Sequence, residues 1–176
     1  MGAYLLIVLA VVSRVLPHPW MNFTAVGGGL LYFGAKRPLR EMALPLLALM
    51  ATDYFLTVVF YGYAWHTSDY LVTWAWYAGA IVLGRILLKR KVTAVRVIAA
   101  PVLTATSFFV ASNFAVWAGS ALYPHTMAGL GLCYVAGLPF YGNDVLSTTL
   151  VTGLAFGLPA MAKRLAEQRA QAKLAA

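Results

Sequence analysis

"LREMALPLLALMATDYFLTVVFYGYAWHTSDYLVTWAWYAGAIVLGRILLKRK", residues 39–91, sets the architecture of the whole chain. Its two apolar segments, Leu39–Tyr61 and Tyr70–Leu88, each hold about the 20 residues that cross a hydrocarbon core. No Lys or Arg lies between them. Both flanks are basic, with Lys36, Arg37 and Arg40 on one side and Arg85, Lys89, Arg90, Lys91 and Arg96 on the other. Cationic loops stay on the cytoplasmic side of a membrane. The stretch therefore reads as a hairpin that leaves the cytoplasm and returns to it.

The rest of the chain extends that pattern. Of the 176 residues, 62% are hydrophobic and 10% are charged, against about 25% charged in soluble domains. A soluble fold of this size has too little polar surface to hide so much apolar side chain, so the sequence is that of an integral membrane protein. Four more apolar segments can be drawn, at Ala3–Leu16, Phe23–Ala35, Val92–Ala118 and Val145–Ala162. Arg14 aside, every Lys and Arg falls in connection 2–3, connection 4–5 or the C-terminal tail, where Lys163, Arg164, Arg169 and Lys173 sit. Six spans with both termini cytoplasmic satisfies that distribution. The expected fold is an all-α bundle in the inner membrane, a single multi-pass domain over residues 1–162. The tail, 163–176, reads as a basic cytoplasmic helix lying in solvent or on lipid headgroups.

Three local expectations accompany this topology. A further apolar stretch at 126–140 is too short to span, and making it a span would put the basic tail outside, so it reads as a short outer cap buried in protein. Pro45 and Pro101 each remove a backbone donor and should bend spans 3 and 5. Gly27, Gly28 and Gly29, the Ala80/Gly84 pair and the Gly153/Gly157 pair have the small-residue spacing of close helix packing.

The net charge of +8 follows the membrane topology and does not form the stripe of a nucleic-acid binder. One cysteine, Cys133, excludes an internal disulfide. No nucleophile stands beside a base, which argues against an enzyme. The three histidines lack the i, i+4 spacing of a helical metal site, so neither metal nor cofactor is expected.

Chemistry-bearing side chains gather on the outer side. His18, Trp20, Asn22 and Phe23 follow the Pro17/Pro19 break in "LPHPWMNF" (16–23), where the prolines stop the first helix and hold the chain extended. Trp65, His66 and Asp69 lie in the next outer connection, and His125 and Asp144 flank the last one. Trp74, Asn113 and Trp117 sit a turn or two deeper. Interfacial aromatic belts have two sides, whereas these rings crowd one side, as they do around a pocket lined by apolar groups with a few placed polar ones. Two charges remain within the spans, Arg14 and Asp53. Intramembrane charges are rare and normally paired, and an ion pair joining span 1 to span 3 is the expected arrangement.

"SRVLPHPWMNFTAVGG" (13–28), "SNFAVW" (112–117) and "YPHTMAGLGLCYVAGLPFYGNDVLSTTLVTGLAFG" (123–157) resemble an uncharacterised family of small bacterial membrane proteins. That family is related to the substrate-binding S components of energy-coupling-factor (ECF) transporters. "LPFYGNDVL" (138–146) is similar to the Pro-Phe…Gly-Asp turn of biotin- and thiamine-type S components, with Asn143 inserted between Gly142 and Asp144. The resemblance implies six helices and import of a vitamin-like small molecule bound under loops 1, 3 and 5. It also implies a coupling subunit with two ATPases as partner, docked on an alanine-xxx-alanine face of span 1; here Ala10 has no second alanine four residues away. Two alternatives stand beside it. One is a solitary cobalamin-type transporter, with Cys133 as the available cobalt ligand. The other is a structural or assembly subunit of a larger membrane complex.

Overall fold

The computed structural model describes residues 1–16 and 21–174; His18 and Trp20 of the candidate site lie outside that range. The described residues form six α-helices and no strand: α1 (Gly2–Val15), α2 (Val26–Lys36), α3 (Ala43–Tyr54), α4 (Leu71–Leu88), α5 (Ala94–Gly119) and α6 (Met127–Leu174). A 3-10 turn at Leu39–Glu41 leads into α3, a π-helical turn at Phe55–Phe60 extends it, and a 3-10 turn at Thr67–Tyr70 leads into α4. Four helical stretches are long and apolar enough to cross a membrane: Leu39–Phe60, Thr67–Leu88, Ala94–Gly119 and Met127–Lys173. Large apolar side chains such as Leu47, Ile86, Val95 and Leu154 point outward from them, as a lipid-facing surface requires.

Side-chain contacts give the helix directions. Tyr4 of α1 bonds Glu41 just before α3, and Arg14, ten residues on, reaches Asp53, so α1 and α3 run the same way. Gly27 of α2 lies against Thr148 of α6, and Tyr32 meets the Phe156 ring one helical length further on. Helix α5 runs against α6, with Thr106 opposite Tyr141 and the Asn113 carbonyl opposite the Cys133 thiol. The bundle alternates up and down.

Its centre is α2. Nine of its eleven residues are buried, although four of the eleven are glycine, a poor helix former by about 1 kcal/mol per residue. Tertiary contact explains the choice. A Cβ on Gly34 would come 1.8 Å from the Ile81 carbonyl oxygen of α4, and one on Gly84 would come 2.1 Å from the Leu31 carbonyl oxygen of α2. The two backbones touch through reciprocal glycines, and Ala80 and Ile81 complete the contact fully buried. Gly27 and Gly28 make the matching approach to Thr148 and Val151 of α6.

Four expectations change. The stretch 126–140 is not a separate cap. It forms the first turns of the continuous helix α6 and pairs along the second half of α5, with Tyr134 bonded to the Val110 carbonyl and Phe109 against the Tyr141 ring. Counting the helix as short missed that Pro139 and Pro159 are accommodated within it. Pro45 is the third residue of α3, where a helix has no acceptor for the missing N–H, so it ends up in a tolerated position and not at a bend. Pro101 does stand inside α5, fully buried. Gly153 and Gly157 meet nothing within 4 Å, so their spacing is not a packing motif among the described residues.

The fourth change concerns depth. Helices α1 and α2 are roughly 21 and 17 Å long at 1.5 Å per residue, well short of a hydrocarbon core of about 30 Å. Asn22 and Thr24 lie beside Tyr77 and Phe108. The cavity they line also reaches Tyr70 and Thr73 at the start of α4. Asn22 and Thr24 thus border a cavity between the helices.

Candidate functional site

The π-helical turn starts two residues after Asp53, and Thr57 ties its first turn back to the Asp53 carbonyl at 2.8 Å. Such turns are enriched at functional sites. The Asp53 carboxylate is 2% exposed and is held by three neighbours. Arg14 Nη2 donates to Oδ1 at 2.6 Å, Trp74 Nε1 donates to Oδ2 at 2.9 Å, and the Tyr77 hydroxyl approaches both oxygens at 3.4 Å. Arg14 Nη1 in turn donates to the Tyr77 hydroxyl at 3.1 Å. One buried network thus ties the last turn of α1 to α3 and α4. The ion pair expected from sequence is present, and Trp74, expected as a ligand contact, is a strut of that pair.

Above the pair lies a cavity of about 220 Å³ walled by Arg14, Asn22, Thr24, Gly27, Asp53, Tyr70, Thr73, Trp76, Tyr77, Phe108 and Asp144. Two more hollows adjoin it. One, of about 190 Å³, lies between α5 and α6 against Phe109, Ser112, Asn113, Tyr141 and Asp144; the other, of about 440 Å³, lies over Arg14, Leu16, Tyr61 and Phe140. Asn22 lines all three. Its φ of 61° is left-handed, a conformation asparagine tolerates better than most L residues, and Asn143 of α6 pins the chain there by donating to the Met21 carbonyl at 2.9 Å. Asn22 is the partition where the hollows meet.

A groove of about 440 Å³ runs from the ends of α4 and α5 down toward these hollows, lined by Asp69, Val72, Thr73, Ser112, Val116 and Ser120 among others. Thr73 also borders the central cavity, and Ser112 the α5/α6 hollow. The groove thus shares a wall residue with each of the two hollows that Asp144 borders.

Asp144 is 8% exposed, and among the described residues its one hydrogen-bond donor is Thr148, at 3.1 Å. It belongs to a buried polar stripe on α6 with Ser147, Thr148 and Thr152, facing the glycines of α2. The i, i+4, i+8 spacing of Asp144, Thr148 and Thr152 in an otherwise apolar run is a signal readable from sequence, and only its first member was anticipated as a site residue.

The chain belongs to DUF6580, a family of unknown function. The family model matches residues 1–171. No curated protein and no solved structure matches the chain.

The DUF6580 site draws together only part of the expected set. Asn22, Asn113 and Asp144 border the hollows, and Asp69 borders the groove. Trp65 stacks on Tyr70 at 4.5 Å between ring centres and edges onto Tyr54, forming with Trp74 a ring stack above the ion pair. Phe23 is half-buried and borders none of these spaces. His66 is exposed. His125 is exposed too, its Nε2 3.3 Å from the Ser120 carbonyl oxygen, and its ring lies edge-on to Trp117, whose Nε1 donates to the Pro124 carbonyl. These last two shape the α5–α6 turn, away from the cavities. Cys133 is buried with its thiol 3.3 Å from the Asn113 carbonyl oxygen and borders none of the hollows. Among the described residues no three of His, Cys, Asp and Glu come together as metal ligands. Sequence reasoning missed Thr24, Thr73, Trp76 and Phe108, because ordinary spans supply such residues at every turn and only the assembled bundle selects these.

Proposed function

We propose that this chain is a substrate-binding membrane protein of the transport type. It takes a small ring-containing micronutrient from the outer face of the inner membrane, in the manner of an ECF S component with both termini cytoplasmic. The observation that carries the reading is the central cavity. It lies between the helices, is mostly apolar with a few placed polar groups as ligand sites are, and has a groove at one end of the bundle beside it, with Thr73 on the wall of both. The charge pattern supports the orientation, because the helix ends near Arg37 and Arg96 and the α6 tail carry the basic clusters while the groove end carries none.

Two features shape the proposal further. The outward face of α1 carries Leu5, Val8, Leu9 and Val12, and its alanines Ala3 and Ala10 face inward. A coupling subunit seated on small residues of α1 has no such surface, which favours either a different docking face or action without that module. The buried Cys133 and the modest central cavity argue against a corrinoid cargo. A mono- or bicyclic compound fits better.

Native mass spectrometry of gently purified protein tests the reading. A small molecule should co-purify with the wild type and be lost from Asn22→Gly, which keeps the left-handed backbone and removes only the carboxamide. An empty wild-type cavity together with a stoichiometric protein partner in the same spectra favours an assembly subunit instead.

A further inference from the structure

The hollows around Asn22 are electrostatically lopsided. Arg14 and Asp53 cancel one another at 2.6 Å. The remaining charge on the walls is Asp144, which lies at the junction of the central cavity and the α5/α6 hollow. The charged group on the groove leading there is Asp69, again an acid. Sharing the wall of the central cavity with Asp144 are the rings of Tyr70, Trp76, Tyr77 and Phe108. An ionised carboxylate out of water is costly unless charge or several hydrogen bonds compensate it, and the one threonine hydroxyl on Asp144 supplies little of that. Aromatic faces attract cations and gain nothing comparable from anions. An acid at the entrance, an acid at the floor and rings around it form a site for positive charge.

We propose that the ligand is a small monocation, an aromatic or ring-bearing amine, amidine or azolium, whose charged group pairs with Asp144. The inference rests on the central cavity being a ligand site, and it adds the charge class of the ligand. Asp69 at the mouth raises the local concentration of such a cation, and Asn22 supplies a carboxamide beside it. The Arg14–Asp53 pair keeps its own partners throughout and takes no part in the charge recognition.

Three near-isosteric probes separate the claims: benzamidinium, benzamide and benzoate, titrated calorimetrically into the full-length protein in lipid nanodiscs at neutral pH. Benzamidinium should bind about tenfold or more tighter than benzamide, and benzoate should be weakest. Asp144→Asn should erase the preference by weakening benzamidinium about tenfold while leaving benzamide affinity unchanged. Because Asp144→Asn keeps size and the Thr148 bond, benzamide binding reports whether that variant still folds. If it loses benzamide as well, Asp144→Glu supplies the comparison, and a cation preference in that variant supports the assignment. Equal binding of benzamidinium and benzamide by the wild type, or a preference for benzoate, overturns the monocation inference and leaves the cavity a ligand site. Binding of none of the three, or binding unaffected by Asn22→Gly, counts against the cavity itself.

Discussion

Replacing Asp53 by asparagine removes one charge from a nearly sealed network and leaves Arg14 facing a neutral amide. Breaking a buried ion pair by deleting one partner costs about 3–5 kcal/mol, because the other charge stays behind. Arg14 is 19% exposed and keeps the Tyr77 hydroxyl, so the lower end applies, about 3 kcal/mol, in line with roughly 2.5–3.5 for an arginine at the centre of a membrane helix. The asparagine also presents one oxygen where the carboxylate offered two, so either Trp74 or Arg14 loses its acceptor. Arg14→Gln in the same background removes the stranded charge. The double variant should recover about 2 kcal/mol relative to the sum of the single changes. Reversible unfolding in detergent–lipid micelles, followed by tryptophan fluorescence, measures all four corners of the cycle. A cost below about 1 kcal/mol for Asp53→Asn, or additive single changes, would refute the argument that this pair clamps α1 to α3.

The glycines provide the sharpest packing test. Gly34→Ala or Gly84→Ala drives a methyl into a carbonyl oxygen and should cost about 3 kcal/mol, the upper end for overpacking, in the same unfolding assay. Gly153→Ala and Gly157→Ala meet open space and should be neutral or stabilising by up to about 1 kcal/mol. A cysteine at Lys91 should be shielded from an impermeant thiol reagent in intact cells and react after lysis; labelling from outside reverses the proposed orientation. His66→Ala should leave ligand uptake within about twofold of wild type, since the ring is exposed and lines none of the hollows, whereas Asn22→Gly should reduce it about tenfold, the loss of one ligand hydrogen bond at the upper end of about 0.5–1.5 kcal/mol.

Membrane insertion, the apolar helices and the ion pair were legible in the residues themselves. Each rests on a local or strongly penalised quantity. A run of apolar side chains has one comfortable solvent, and two lone charges of opposite sign within apolar helices must find each other. Asn22 and Asp144, read as polar groups on the outer side, both border the hollows.

What the residues alone left open was which faces meet and at what depth. Gly153 and Gly157 have the same spacing as a packing motif, yet α6 turns them away, while Gly34, standing outside any such spacing, receives the α4 backbone. His66 and Asp144 read alike as polar groups near the outer side, yet one ends in solvent and the other at the floor of a cavity. The stretch 126–140 is too short to span by itself, and pairing along α5 makes it part of one long helix. The length of α1 and α2 is written in the sequence, but only the bundle makes it matter: two short helices set among longer neighbours leave hollows between them, and the side chains that border those hollows make up the candidate site.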